Sequence, residues 1–253
     1  MNVGLLIVGD EILSGKRPDK HLPRIIELLG ARGMALHWAR VVGDEALDIA
    51  EAIVWARARG DLLLSCGGIG ATPDDQTRQA AARAFDLPVT RHPEAAALIA
   101  QQYADVGLDQ RLRMADFPQG AGLIPNPVNR VAGFYVDDCH FVPGFPEMAW
   151  PMIEWVLDTR YPHLHQSAPP VEYRLQVTGT QGEGDLLPLM EDTLAHFPGI
   201  KLSSLPFRGD AERARHIEFG FKGANDEARA AYAYFVEGLR AFDGVQTQVL
   251  APR

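Results

Sequence analysis

Between positions 67 and 77 the chain reads Gly-Gly-Ile-Gly-Ala-Thr-Pro-Asp-Asp-Gln-Thr. Three glycines, two hydroxyls and two carboxylates in so short a run are groups that can hold an anion or a metal. Glycine lets a ligand approach the main chain closely and permits dihedrals that other residues avoid. The run follows Leu62-Leu63-Leu64-Ser65-Cys66, which reads as a buried strand, and precedes Thr77 to Phe85, which reads as a helix. A loop from a strand's carboxyl end to a helix start is where open α/β sheets bind ligands. The free N–H groups of a first helical turn favour an anion there. Phosphate suits the arrangement, with Gly67, Gly68, Gly70, Ala71, Thr72 and Thr77 as its expected lining.

The two acids of the loop complicate that picture. Thr72 has the character of an N-cap, Pro73 suits the first helical position, and Asp75 falls three residues after Thr72, a capping box in outline. Capping alone accounts for Thr72, Pro73 and Asp74. Carboxylates beside a bound phosphate repel it, and a divalent cation such as Mg2+, which takes carboxylate and phosphate oxygens together, removes the conflict. Asp10 and Glu11 follow the first strand, and Asp44 follows the second. Each has a local capping role available, which for Asp44 is the better-supported use from its neighbours alone. Together, however, Asp10, Asp44 and Asp75 fall on one predicted sheet edge, where mutual repulsion calls for a counter-cation. We therefore expect Asp10, Asp44 and Asp75 as metal ligands, with Asp44 and Asp75 catalytic.

Weaker signals lie elsewhere. Pro143-Gly144-Phe145-Pro146-Glu147-Met148 again follows a strand, and reads equally as a second backbone anion site through Gly144 or as a proline-punctuated turn. In Asn126-Pro127-Val128-Asn129-Arg130, Asn129 has the groups to read a heterocycle edge and Arg130 to pair with phosphate, yet a plain surface loop is the simpler reading. Arg78 and His92 are read as surface residues. His163 and His165 in a proline-rich stretch are read as solvated. No Gly-x-Ser-x-Gly, Walker loop, zinc spacing or dinucleotide fingerprint occurs.

Strand and helix alternate along the first part, which implies right-handed βαβ units and a parallel sheet. Strands are expected at Val3–Val8, 34–42 and 61–66. Helices are expected at Asp19–Arg32, from Asp44 to Gly60, at 74–86 and at 92–106. A hairpin follows at Phe134–Val142 with Asp137-Asp138 at its turn, then a helix from about Glu147 to Leu157. Tyr161 to Pro170, with its prolines, reads as a linker. Beyond it the order βαββαβ is that of a ferredoxin-like fold. Two domains are expected, at 1–160 and 171–253.

The chain has 253 residues, of which 47% are hydrophobic and 23% charged, the composition of an ordinary globular protein. Two cysteines far apart make a disulfide framework unexpected, and no apolar run or leader points to a membrane or to secretion, so a cytoplasmic location is expected. A net charge of -9 argues against general nucleic-acid binding.

Four motifs in order carry a resemblance to a known family: Gly9-Asp10-Glu11-Ile12-Leu13 with Asp19, Val42-Gly43-Asp44, the Gly67–Thr77 loop, and Pro143 to Met148. Over about the first 155 residues the chain resembles the molybdopterin-binding fold of the MoaB/MogA and gephyrin group, and more closely the N-terminal part of the competence/damage-inducible protein A family. The resemblance implies a three-layer α/β domain with a parallel or mixed sheet, followed by a small ferredoxin-like α+β domain. In the cofactor-synthesis members, the acids matching Asp44 and Asp75 serve Mg2+-dependent adenylyl transfer to molybdopterin. In the competence-protein family the fold is linked to hydrolysis of ADP-ribose and related nucleotide pyrophosphates. The implied activity is thus a divalent-metal-dependent nucleotide pyrophosphatase, with a non-catalytic molybdopterin or nucleotide binder and an adenylyltransferase as alternatives. A homo-oligomer, dimer or trimer, is also implied. The family's C-terminal amidohydrolase domain, which deamidates nicotinamide mononucleotide, is not expected in these residues. Lys20 and His21 stand where the family usually has an Asn, and Phe145 where many cofactor-synthesis relatives have a small polar residue.

Overall fold

The computed structural model describes residues 1–103, 107–180 and 182–251. Its contacts divide into two units, Met1–Gln166 and Ser167–Arg253. In the first unit the order is β1 (Val3–Val8), α1 (Asp10–Leu13), α2 (His21–Gly30), β2 (Trp38–Val42), α3 (Ala46–Ala58), β3 (Leu62–Cys66), α4 (Thr77–Ala84), β4 (Val89–Arg91), α5 (Pro93–Gln102), α6 (Leu108–Leu112), β5 (Asp116–Pro118), β6 (Gly122–Ile124), β7 (Gly133–Val136), β8 (Cys139–Val142) and α7 (Pro146–Arg160). Six strands form one sheet in the order β2-β1-β3-β8-β7-β6. β2, β1, β3 and β8 run parallel, while β7 and β6 are added antiparallel.

Every residue of β1 and β3 is buried, as continuous apolar runs in a doubly covered sheet must be. Alternation sends Leu6, Val8 and Leu63 to one face, against Ile49 and Ile53 of α3 and Ala80 and Ala81 of α4. It sends Leu5, Ile7, Leu62 and Leu64 to the other, against Ile25 and Leu29 of α2 and Ile153 and Val156 of α7. The result is three layers, helices covering both faces of a mixed sheet. Each of the buried Leu, Ile and Val side chains among these stabilises the unit by roughly 1.5–3 kcal/mol relative to exposure.

Several elements depart from the sequence reading. α4 begins at Thr77, not near Pro73; Thr72 to Asp75 form a separate turn. The reason is local: Asp75 caps the Thr72 amide, closing a turn before the helix begins. A short helix, α1, occupies part of the segment read as a loop. The strand expected over 34–42 starts at Trp38. The helix expected over 92–106 is α5, and positions 104–106 lie outside the described residues. The pair β4–β5, the strand β6 and the helix α6 carry no strong periodicity and were not foreseen. In the stretch read as a linker, Tyr161 is buried in the first core and the Gln166 N–H donates to the Arg32 carbonyl at 3.0 Å. Only 167–170 remain as an exposed connection.

The second unit contains β9 (Val171–Thr178), α8 (Leu187–His196), β10 (Lys201–Phe207), β11 (His216–Gly223), α9 (Asn225–Gly238) and β12 (Gln246–Leu250). Its sheet, in the order β10-β11-β9-β12, is antiparallel throughout. That order and the βαββαβ connectivity are ferredoxin-like. Phe219 and Phe221 of β11 and Phe235 of α9 form its core. Among the described residues no helix is long and apolar enough to cross a membrane.

One buried polar cluster ties the β7–β8 hairpin to the end of α7. The His140 Nδ1 faces the Leu63 carbonyl at 3.3 Å, and its Nε2 accepts from the Arg160 Nε–H at 3.1 Å. The Tyr161 hydroxyl donates to Asp138 at 2.7 Å. Burial first, and then the Arg160 charge, push the His140 pKa down to about 3 from 6.5. The imidazole is therefore neutral in the fold, and the unfolded chain takes up its proton first. Its contribution to stability is complete above pH 6.5 and is lost as pH falls toward about 3. Urea unfolding of wild type should weaken on acidification by up to about one proton's slope more than that of His140→Gln over the same range. Equal slopes would show that His140 is not held neutral.

Candidate functional site

The four parallel strands all end at one edge of the sheet, so the segments after them meet there. They are Gly9-Asp10-Glu11 after β1, Gly43-Asp44 after β2, the glycine loop after β3, and Pro143-Gly144-Phe145 after β8. β1 leads to β2 on one side and the chain then crosses to β3 on the other, so strand order reverses beside β1, the place where such sheets open a crevice. A cavity of about 440 Å³ lies there, lined by Val8, Gly9, Glu11, Arg17, Asp44, Gly67 to Thr72, Asp74, Asp75, Met114, Asn126, Asn129, Val131, Pro143, Gly144, Phe145 and Met148. Its size falls within the roughly 300–1,000 Å³ typical of small-molecule sites.

The loops are drawn together by tight main-chain contacts. Gly67 has φ of 109°, and a Cβ on it would overlap the Val8 carbonyl. A Cβ on Gly144 would stand 3.4 Å from the Gly67 Cα. Gly67 N–H donates to the Val142 carbonyl at 3.0 Å. The Gly144 carbonyl in turn lies 3.1 Å from the His21 Nε2, and His21 sits at the start of α2, whose amides at His21 and Leu22 are capped by Asp19.

An account of the glycine loop's donors defines the site. Thr72 N–H goes to Asp75 Oδ2 at 2.8 Å, Asp75 N–H to the Thr72 carbonyl, and Thr77 N–H to the Gly68 carbonyl. The Thr77 hydroxyl donates to the Gly67 carbonyl at 2.9 Å. Among the described residues the amides of Gly68, Ile69, Gly70 and Ala71 have no acceptor, and all four residues line the cavity. Successive unpaired amides are the kind of main-chain arrangement that can accept an anion. Thr77 is corrected here: it is wholly buried, its hydroxyl hydrogen is already used, and it holds the loop instead of lining the cavity.

The acids arrange themselves differently from the expectation of three converging carboxylates. Asp10 N–H donates to Asp44 Oδ2 at 3.0 Å, and Asp44 N–H donates to Asp10 Oδ1 at 3.4 Å. Each carboxylate thus caps the other's backbone. Asp10 is not among the lining residues, and Asp75 turns one oxygen to Thr72. Among the described residues no group of three acidic, histidine or cysteine side chains is placed to hold a metal. Asp44 and Asp75 do both face the cavity, as do Glu11 and Asp74. Partial burial pushes the Asp44 carboxyl above its usual range; the Asp10 amide opposes this, while the charges of Asp10, Glu11 and Asp74 add to it. Arg17 is the one cationic residue in the lining.

The remaining lining is less polar. Asn126 spends its side chain on the Val131 carbonyl and the Val128 amide. Asn129 accepts from the Val131 amide at 3.0 Å and keeps its NH2 group available. Arg130 does not line the cavity. Phe145, 53% exposed, and Met114 and Met148 supply apolar surface beside Asn129. Arg17 and Asp74 were within reach of the sequence reading, because both lie in segments that follow parallel strands. Met114 and Val131 were not, since only tertiary folding brings them to this edge. One further reading is corrected: Arg78, expected at the surface, is 3% exposed. His92 is half-buried and caps α5 by accepting from the Ala95 amide.

The family described as "Probable molybdopterin binding domain" matches residues 4–165. A CinA-like protein of Syntrophotalea carbinolica is 31% identical over 234 residues, which cover 87% of this chain and 52% of the relative, so the chain spans about half the length of that relative. A protein of Pyrobaculum arsenaticum is 29% identical over 246 residues, covering 93% of this chain and 92% of its own length. The crystal structure of the protein CinA from Thermoplasma acidophilum superposes with a TM-score of 0.58 at 29% identity, covering 62% of this chain and 96% of that one.

The raised Asp44 pKa gives a direct check on the site's electrostatics. Ionised Asp44 costs stability above its raised pKa, and the cost vanishes as pH falls below the ordinary value of 3.8. Asp44→Asn keeps an oxygen for the Asp10 amide and removes the repulsion. The variant should melt at neutral pH at or above wild type, by about 1–3 °C, with the gap closing on acidification. A variant less stable at every pH would show that capping outweighs repulsion.

Proposed function

The chain belongs to the molybdopterin-binding-domain family and is similar to CinA-like proteins over about half of their length, and from that premise we propose that the cleft binds a phosphate-bearing nucleotide or pterin and, with a divalent cation, hydrolyses a nucleotide pyrophosphate of the ADP-ribose kind. The observation that carries this reading is the run of unpaired amides from Gly68 to Ala71, directed by the turn at Thr72 to Asp75. Four backbone donors with no internal acceptor fit phosphoryl oxygens and little else of comparable size.

The acids decide how the charge is balanced. Glu11, Asp44, Asp74 and Asp75 face Arg17 alone, so a phosphate entering by itself meets net repulsion. Mg2+ is commonly held by one or two carboxylates together with substrate phosphates. The donor set fits a cation that arrives with the ligand, held by Asp44 and the open oxygen of Asp75. Asp10 assists by fixing the Asp44 main chain. When bound, such a cation would offset charge on the departing phosphate. Asp44 faces the cavity and would orient the attacking water; the water's proton passes to solvent as its oxygen bonds to phosphorus and the anhydride P–O bond breaks, the departing phosphate keeping the bonding electron pair. Phe145, Met114 and Met148 offer apolar area for a flat ring, and the Asn129 amide a donor for its edge.

Binding without turnover is a second reading with its own support. One Asp75 oxygen is spent on Thr72, and no histidine or cysteine lines the cleft.

Calorimetric titration with ADP and ADP-ribose, with and without Mg2+, followed by an assay of AMP release, tests both. Tighter binding with Mg2+ and AMP release are expected. Gly70→Ala should weaken phosphate ligands by about tenfold or more, since its Cβ would overlap the Asp75 carboxylate and force the loop to move. Asp75→Asn keeps an acceptor for Thr72, so its melting temperature should hold while turnover falls by about 100-fold or more. Near-normal turnover in Asp75→Asn sinks the catalytic role. Binding with no AMP release leaves the second reading, and no binding at all removes both.

A further inference from the structure

Arg78 is the second residue of α4, directly behind the glycine loop, and its side chain is almost wholly inside the protein at 3% exposure. A guanidinium presents five donors and stays charged. Burying one is tolerated where a carboxylate or a set of acceptors meets it. Here the buried Nε has no hydrogen-bond partner, and no ion pair or hydrogen bond joins the Arg78 side chain to any described residue.

The acids whose fields reach Arg78 are already engaged. Asp75 serves Thr72, and Asp116 is held in a two-bond pair by Arg91 at 2.5 and 3.1 Å. Arg113 adds a second positive charge on the same side, next to Met114, which lines the cleft. The cleft is thus polarised. Uncompensated positive charge lies behind α4 and the 113–116 segment, and uncompensated negative charge lies at the ends of β1 and β2. A fixed charge in a poorly solvated setting acts strongly over several ångströms.

We propose that Arg78 is a positioning residue for the anion: a buried positive charge that draws a phosphoryl group onto the Gly68–Ala71 amides from behind, and so selects ligands carrying two linked phosphates over those carrying one. The inference rests on the cleft being a phosphate site. It goes further in naming a residue outside the lining and in giving it a role in selectivity. A diphosphate spans both ends, one phosphoryl group toward Arg78 and the other toward the acidic end with its cation. A monophosphate satisfies one end only. The same logic says that Arg78 works against the stability of the empty protein, because its charge is compensated only when an anion is present.

Arg78→Met removes the charge at similar volume, and Arg78→Lys keeps it. Wild type and both variants are titrated with pyrophosphate and with inorganic phosphate in the presence of Mg2+, and their melting temperatures are measured without ligand. Arg78→Met should melt at or above wild type and lose roughly tenfold or more in pyrophosphate affinity, but only about threefold or less in phosphate affinity. Arg78→Lys should keep the pyrophosphate-to-phosphate preference within about threefold of wild type. A merely structural arginine gives the opposite pattern, with a lower melting temperature and equal losses for both anions. That result overturns the proposal, as does an Arg78→Met protein that keeps the wild-type preference. If wild type binds neither anion, the phosphate reading of the cleft has failed and this inference falls with it. The wild-type titration therefore separates the two failures.

Discussion

The Gly67 main chain runs so close to the Val8 carbonyl that no side chain fits between them. This contact joins the ends of β1 and β3, both buried along their whole length, at the point where strand order reverses. Once it is made, the glycine loop has little freedom. Its start is fixed by the Gly67 amide on Val142, and its finish by Thr77, which bonds back to Gly67 and Gly68. The residues between must bow outward from the sheet edge. Asp75 then closes the turn on Thr72, and the amides left over are those facing the cavity. The proposed anion site is what remains after the loop has met its own hydrogen-bonding needs.

That accounting explains which parts of the site were legible in the sequence. The strand, glycine loop and helix order of 62–85 was readable because period and composition change sharply there. So were the acids at 10, 11 and 44, because each follows a predicted parallel strand. Thr77 was misread: a hydroxyl at a helix start looks the same in sequence whether it points at a ligand or at the preceding carbonyl. The reciprocal caps of Asp10 and Asp44 were invisible for a similar reason, since they depend on β1 and β2 pairing in register from Gly4–Trp38 to Val8–Val42. Arg78 looked like a surface residue because charged residues seldom lie buried without a partner. β4, β5 and β6 are too short to carry a period, and tertiary pairing alone defines them.

The small second unit was legible almost strand by strand, for the opposite reason. Its strands are longer, its turns are marked by glycine and proline, and its two helices alternate with the strands in the order the fold requires. Only its element ends moved, by a residue or two at most sites, as hydrogen-bond criteria and tertiary fraying commonly shift them. The largest shifts are at α9, expected to run to Phe242 but ending at Gly238, and at β10, expected to end at Ser204 but continuing through Pro206 to Phe207. β10 is an edge strand, paired on one side only with β11, so a proline whose nitrogen cannot donate is tolerated there.

Stability and chemistry are therefore kept in different places in the first unit. The two apolar faces of the sheet hold the fold, and they do so with strands whose every residue is buried. The sheet edge holds the features that cost free energy: unpaired amides, carboxylates crowded against one another, and a buried guanidinium. A flat apolar core is indifferent to small shifts at its margins only if the loops are tied to it by short, directional bonds. Gly9 to Val42, Gly67 to Val142 and Thr77 to Gly67 are such bonds, each about 3 Å long and each at the carboxyl end of a parallel strand. They continue the ladder past the last residue of the strand, so that the rigidity of the sheet extends into the loops. Unfavourable charge can then be held in fixed geometry at the edge, because relaxing it would mean breaking bonds that belong to the sheet itself. The phosphate ligand and cation proposed for this cleft would meet donors and acids that do not have to be reorganised, which is the condition under which electrostatic groups act most strongly on a ligand.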